Sequence, residues 1–209
     1  MISNLNDKLD KMYPSARCEL NYNKDYELLI ATVLSAQCTD KRVNEVTKIL
    51  FNKYDLDKLS KANIKDIEDI IRPCGSQYKK SKYIIDIAKS LIDNYNGIVP
   101  NDRDYLESLP GVGRKTTNVV LSNLYDIPAI AVDTHVSRVS KRLKLAKTSD
   151  DVLTIEKKLM KKIPKDKWSR SHHQLVLFGR YICKAKNPLC DKCLFYDECN
   201  SKDKRKLQD

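Results

Sequence analysis

Apolar residues recur along this chain at intervals of three and four, and alternation with a period of two is essentially absent. The clearest case is 26–34, where apolar residues occupy positions i, i+3, i+4, i+7 and i+8. This spacing is typical of a helix with one buried face. Similar stripes predict helices around 43–50, 64–71, 84–92, 152–163 and 168–183. The chain is therefore predicted to be all-α.

A Gly-x-Gly turn between two apolar segments predicts a helix-hairpin-helix at about 102–124. The first helix is expected to end near Leu109, and the second to start at Arg114. Backbone N–H groups in such a hairpin converge on one point, and the dipole of the second helix adds partial positive charge there. The hairpin therefore favours a phosphate as its ligand.

Two residues near the hairpin are candidates for chemistry. Lys115 lies in the first turn of the second helix beside Arg114, where a cation and a helix N-terminus disfavour the ammonium form. It is thus a candidate nucleophile, and the alternative is that it only contacts phosphate. Asp133 precedes a helical segment and is expected to cap it, a role compatible with facing the ligand of the hairpin.

The amino-acid composition limits the classes of binding partner and the expected location of the protein. The formal net charge is +11, which favours a polyanion, nucleic acid first and an anionic membrane surface second. No apolar segment approaches the ~20 residues that a membrane span needs. The first eight residues lack the apolar core of a signal peptide, so the expected location is the cytoplasm.

Four of the seven cysteines fall close together, in the order Cys183-x6-Cys190-x2-Cys193-x5-Cys199. Four thiolates can hold a tetrahedral zinc ion or a [4Fe–4S] cluster. Zinc sites usually bring two Cys-x2-Cys pairs and only one is present here, which favours the iron–sulfur cluster. The other cysteines, at 18, 38 and 74, are predicted to be core or partly exposed thiols.

The sequences Leu-Pro-Gly-Val-Gly-Arg-Lys-Thr at 109–116 and Ala-Val-Asp-Thr-His at 131–135, followed by the four cysteines, resemble the endonuclease III family of helix-hairpin-helix DNA glycosylases. The resemblance covers about 26–199. It implies a two-lobed helical fold. Residues 23–132 would form a central lobe that contains the hairpin, and 1–22 would join 133–209 in a second lobe with the cluster loop at 183–199.

The same resemblance implies an enzyme of base-excision repair, a glycosylase and abasic-site lyase that removes oxidised pyrimidines from damaged double-stranded DNA. It implies a monomer, nucleoid-associated in the cytoplasm, with a [4Fe–4S] cluster on the four cysteines. Lys115 stands where the family has its Schiff-base lysine, and Asp133 where it has its catalytic aspartate. Residues expected to contact DNA are Gln37, Gly111, Val112, Gly113, Arg114, Lys184 and Lys186.

One position departs from the family pattern. Family members tend to place a bulky apolar wedge directly after the glycine that corresponds to Gly75, whereas this chain has Ser76 in a predicted turn at 75–80. Either Gln77 or Tyr78 takes over, or the wedge is weak. Two alternative functions remain: the same chemistry on ultraviolet pyrimidine dimers, and a non-catalytic DNA-binding module.

Overall fold

A computed structural model describes residues 4–206, so the ends of the predicted second lobe, 1–3 and 207–209, lie outside the described residues. The described part is all helical and contains no strand, which confirms the predicted fold class. Among these helices, none is both long enough and apolar enough to cross a membrane.

The α-helices follow one another in this order: α1 Leu5–Met12, α2 Asp25–Leu34, α3 Asp40–Lys53, α4 Leu56–Ser60, α5 Ile64–Ile71, α6 Gln77–Tyr95, α7 Arg103–Ser108, α8 Arg114–Leu124, α9 Thr134–Arg142, α10 Val152–Lys162 and α11 Trp168–Tyr181. Short 3-10 helices lie at Arg72–Cys74, Lys165–Lys167 and Cys190–Lys192. The chain divides into two compact units. We call Glu19–Tyr125 the central unit, and Met1–Cys18 with Asp126–Asp209 the terminal unit.

The central unit is built around α2. Every residue from Tyr26 to Leu34 is buried, so this helix is covered on all sides, and it packs against α3, α6 and α8. A helix that is apolar all round gains most by lying in the core. The carboxylate of Asp25 accepts a hydrogen bond from the Val99 backbone at 2.7 Å, which ties the start of α2 to the segment before the hairpin.

Two local details differ from the sequence predictions. The predicted turn at 75–80 is shorter, because α6 begins at Gln77, where the Ser76 carbonyl accepts from the Lys79 and Lys80 amides. Helix α4 was not predicted. Its five residues are too few to show a periodic stripe, although Asp55 caps it through a 2.8 Å bond to the Lys58 amide.

In the terminal unit, α9 and α1 pack on α11, and α10 packs on α9. Gly179 allows the close approach of α9, because a Cβ at that position would lie 2.9 Å from the Cβ of His135. The cysteine loop joins this core through Phe195, whose ring packs edge-on against Phe178 at 5.4 Å. Helix α9 is therefore fixed against α11, which leads into the cysteine loop.

Candidate active site and nucleic-acid surfaces

The hairpin forms where the spacing predicts it. Helix α7 ends at Ser108 and α8 begins at Arg114. Gly111 has φ of +76°, and a Cβ there would meet the Tyr83 ring at 2.5 Å, so this position requires glycine. The buried Val112 closes the turn through its amide, which donates to the Leu109 carbonyl at 3.1 Å.

Lys115 is the second residue of α8 and is half-buried. Within the described central unit its ammonium has no hydrogen-bond or ion-pair partner. Gly113 occupies the N-cap and supplies no capping side chain, which leaves the start of α8 open to an anion. Asn118, one turn later, accepts from Arg103 at 2.8 Å and braces α8 against α7. The lysine therefore stands on a rigid hairpin.

The loop that carries Gln37 and the turn where the family places its wedge both contain residues with positive φ. Gln37 is exposed between α2 and α3 with φ of +57°, and Ser76 is exposed before α6 with φ of +51°. Tyr78, in the first turn of α6, is 68% exposed, whereas Gln77 is half-buried. Of the two residues considered as substitutes for the missing apolar wedge, Tyr78 has the more accessible side chain.

Asp133 is the N-cap of α9, and its Oδ1 accepts from the Val136 amide at 2.8 Å, as predicted. The other carboxylate oxygen has no hydrogen bond within the described terminal unit. His135, the second residue of α9, accepts at Nδ1 from the Arg138 guanidinium at 3.2 Å. The carboxylate is therefore held in place by its capping bond while one of its oxygens stays available.

Sequence reasoning missed two arginines that anchor the cysteine loop to α9. Arg138 donates to the carbonyls of Gly179 and Cys183 at 2.6 and 3.1 Å, and burial lowers its pKa. Arg142, one turn later, donates to the Lys184 carbonyl at 2.6 Å. Arginines four residues apart on one helix were the available signal, since they share a face.

The four cysteines of the C-terminal loop line one cavity of about 30 Å³ together with Arg142, Phe178 and Leu189. Burial raises the pKa of Cys193 to about 11, and it also raises the pKa of Cys183. Arg142 donates to the Cys183 sulfur at 3.5 Å, and the Arg205 amide donates to the Cys190 sulfur at 3.4 Å. N–H donors of this kind stabilise metal-bound thiolates.

This donor set suits a group held by four thiolates. Over residues 4–206, no three His, Cys, Asp or Glu side chains are grouped so that they could hold one metal ion directly, so the fit of the four thiols to a cluster rests on their shared cavity and on the N–H donors. Of the remaining cysteines, Cys74 is buried, whereas Cys18 and Cys38 are half-buried. That agrees with the prediction for these three thiols.

A second feature that the sequence reasoning missed is a wide basic groove along α9. It has a volume of about 1320 Å³ and starts at Thr134, directly after Asp133. Its cationic lining residues are Arg138, Lys141, Arg142, Lys144, Lys147, Lys158, Lys162 and Lys202. Asp203 pairs with Arg142 and Asp150 pairs with Lys158.

The five other lysines of the basic groove, at 141, 144, 147, 162 and 202, form no ion pair with any residue between 4 and 206. The two lysines predicted to contact DNA lie elsewhere, on the cysteine loop between Cys183 and Cys190. Lys186 is exposed and Lys184 is half-buried. The terminal unit thus presents more unpaired positive charge than the motif-based prediction included.

Known proteins share this fold and sequence over almost the whole chain. Residues 30–165 match the HhH-GPD superfamily of base excision DNA repair proteins. Endonuclease III of Bacillus subtilis is 49% identical over 201 residues, which are 95% of this chain and 91% of that protein. A non-covalent endonuclease III–DNA complex has a TM-score of 0.91 at 50% identity and covers 96% of both chains.

A second solved structure, a trapped endonuclease III–DNA covalent intermediate, also has a TM-score of 0.91 at 50% identity. It covers 96% of this chain and 97% of its own. Identity at this level over nearly the full length of both chains is far above what a shared fold alone requires. The chain belongs to the endonuclease III family.

Proposed function

We propose that this protein is a DNA glycosylase and abasic-site lyase of base-excision repair, with Lys115 as its nucleophile and damaged duplex DNA as its substrate. The observation that carries the proposal is the position of Lys115 in the first turn of α8, on a braced hairpin and without a partner in its own unit. The covalent DNA intermediate of the similar endonuclease III supports it. The protein would act as a monomer, nucleoid-associated in the cytoplasm.

DNA would bind through phosphate contacts at the hairpin and through positive charge on the terminal unit. Gly111, Val112, Gly113 and Arg114 would hold one phosphate, because the open N-terminus of α8 favours an anion. The basic groove and Lys184 with Lys186 would neutralise further phosphates. Gln37 would fill the space in the duplex that the damaged base leaves.

The reaction would use one amine and one carboxylate. Lys115 Nζ attacks C1′ of the sugar, the new C–N bond replaces the bond to the base, and the base leaves. Asp133 stabilises the developing positive charge and takes the proton from the attacking amine. The product is an aminal, whose C1′–O4′ bond then breaks as O4′ takes a proton, so that the sugar ring opens to a Schiff base. Loss of a C2′ proton then expels the 3′ phosphate and cuts the strand by β-elimination.

Cys183, Cys190, Cys193 and Cys199 would hold a [4Fe–4S] cluster. When bound, the cluster supplies four iron–thiolate bonds that cross-link the loop. The cavity shared by the four sulfurs and the N–H donors from Arg142 and Arg205 fit this role. The loop would then present Lys184 and Lys186 to phosphate. The lobe limits inferred from the sequence, 23–132 and 1–22 with 133–209, remain part of this proposal.

Borohydride trapping tests the nucleophile. The purified protein is incubated with a duplex that carries one thymine glycol, and a covalent protein–DNA band is expected for the native chain. Lys115→Ala and Lys115→Arg should both lose the band but still bind a duplex with an abasic site. The arginine variant is the matched control, because it keeps the positive charge for a phosphate contact and cannot act as the amine.

Other results would redirect the proposal. A band on a plain abasic duplex but none on thymine glycol keeps the lysine chemistry and points to other lesions, such as ultraviolet pyrimidine dimers. No band on either duplex, with normal binding, would indicate a non-catalytic DNA-binding module. A band with Lys115→Ala would show that another amine is the nucleophile.

A further inference from the structure

The loop that carries Gln37 and the turn where the family places its wedge meet at one buried lysine. Lys80 lies in α6, one turn after its start, and only 5% of it is exposed. Lysine is almost never this buried unless its charge is paired. In the described chain no Asp or Glu forms an ion pair with Lys80. Its burial therefore depends on other partners.

Those partners are three backbone carbonyls. The Lys80 ammonium donates to Leu34 at 3.0 Å, to Ala36 at 2.7 Å and to Cys74 at 2.9 Å. An ammonium has three N–H donors, so every one of them is used. Leu34 ends α2, where carbonyls lack partners within the helix and the dipole favours a cation.

The arrangement is costly for a purely structural contact. Burial lowers the pKa of Lys80, yet only the protonated form can donate a hydrogen bond to each of the three carbonyls. The neighbouring Cys38 and Cys74 thiols contact each other, and burial raises the pKa of Cys74 to about 12, so this thiol supplies no compensating charge. A buried cation held only by dipoles stabilises a fold less than an apolar side chain of similar size would.

The Lys80 ammonium restrains two backbone segments that have strained conformations. Ala36 immediately precedes Gln37, and Cys74 immediately precedes Gly75 and Ser76, which have φ of +69° and +51°. Left-handed conformations at Gln37 and Ser76 persist only where the surroundings hold them. The Lys80 ammonium supplies such a restraint to both loops at once.

We propose that Lys80 is a positioning residue for DNA insertion. It holds the loop that carries Gln37 and the turn that carries Ser76 at a fixed separation, so that both enter the duplex as one rigid unit. Lys80 itself touches neither DNA nor the reacting atoms. The proposal rests on the proposed glycosylase function. Loops that are ordered before binding lose less conformational entropy when they insert.

Two substrates separate this role from a general effect on folding. The first is a duplex with thymine glycol, where a base must leave the stack and the loops must insert. The second is a single-stranded abasic oligonucleotide, where no stacked space has to be filled. Single-turnover excision is measured on the first and borohydride trapping on the second, with native protein, Lys80→Met and the matched control Lys79→Met on the exposed side of α6.

We expect Lys80→Met to slow excision from the duplex by at least about tenfold, because misplacing a group by about 1 Å can cost on the order of 100-fold. Trapping on single-stranded DNA should stay at the native rate, and Lys79→Met should match the native chain on both. A 2-aminopurine placed opposite the lesion should become more fluorescent when native protein binds and unstacks it. With Lys80→Met this increase in fluorescence should be lost. Lys80→Gln, which keeps two N–H donors, should recover part of it.

A cycle with Gln37→Ala checks that Lys80 acts through the loop. In that background Lys80→Met should add little, since the side chain that it positions is already gone. Equal losses on both substrates, or native excision by Lys80→Met, would overturn the positioning role. If native protein traps neither substrate, the proposed function fails as well, and that outcome is distinguishable because it does not depend on Lys80.

Discussion

The two units of this chain differ much more in charge than in secondary structure. The central unit has 16 Lys and Arg against 15 Asp and Glu, so its formal net charge is +1. The terminal unit has 23 against 13, which gives +10 of the total of +11. The unit with the candidate nucleophile is thus nearly neutral, and the unit with the capping aspartate and the cysteine loop holds almost all of the excess charge.

The difference lies in the number of basic residues, because the two units carry similar numbers of acidic ones. In the central unit carboxylates cap helices, as Asp55 and Asp102 do, or pair locally with cations, as Glu107 does with Arg103 at 2.9 Å. In the terminal unit Asp133 and Asp151 also cap helices, but α9 and α10 together carry seven Lys or Arg residues against one Glu. Phosphate attraction supplies affinity without sequence information, whereas inserted and reacting groups need fixed positions. The proposed function assigns these two tasks largely to separate units.

The largest effect is expected from Asp133→Asn. This variant tests whether the more highly charged terminal unit contributes to the reaction as well as to phosphate attraction. Asparagine caps a helix as well as aspartate does, so α9 and the melting temperature should be little changed. Losing the carboxylate should slow excision by about 100-fold or more, while duplex binding is retained. Single-turnover assays beside thermal melts measure both effects. If this variant excised the base at the native rate, Asp133 would act only as a helix cap.

Removing charge from the basic groove tests whether this surface contributes to DNA affinity and not to the reaction. The triple variant Lys141→Ala, Lys144→Ala and Lys162→Ala should make the dependence of log affinity on log salt shallower by about 2.7, if each lysine contacts one phosphate. The trapping rate at saturating DNA should not change. Fluorescence anisotropy over a salt series provides the slope.

The matched control for the groove removes three exposed lysines of the central unit: Lys48→Ala, Lys61→Ala and Lys89→Ala. It makes the same change in net charge and should leave the salt slope near the native value. Equal slopes for the two triple variants would mean that total charge, rather than the groove, attracts DNA.

The smallest expected effect is on stability, and a pair of glycine variants tests whether the hairpin depends on backbone geometry. Gly111→Ala should lower the free energy of unfolding by about 1–3 kcal/mol, because its φ is positive and the new methyl meets Tyr83. Gly113→Ala should stay near native stability, since nothing lies within 4 Å of its Cβ position. Urea unfolding of both variants gives the comparison, and equal losses would contradict it.

Much of the fold could be predicted because it depends on local rules. Periodic apolar residues located most helices, and the Gly-x-Gly spacing located the turn and the start of α8 at Arg114. Asp133 was expected as a cap and is one, with its side chain bonded to the Val136 amide three residues ahead. These features depend on residues only a few positions apart, so the sequence displays them directly.

The candidate site was predicted only in part. Lys115 and the four cysteines stand in motifs, but Lys80 is one of many lysines and carries no motif. Its partner Leu34 is 46 positions away in sequence, and Arg138 reaches Cys183 across 45 positions. The basic groove likewise collects lysines from α9, α10 and the segment after Cys199.

The sequence by itself therefore determined most of the helices, the cap at Asp133 and the hairpin, because short-range geometry decides these. Only the tertiary structure decided which lysines are buried, which are unpaired and which carbonyls they reach. Burial and ion pairing depend on residues that are distant along the chain, and no local pattern records which of them will meet.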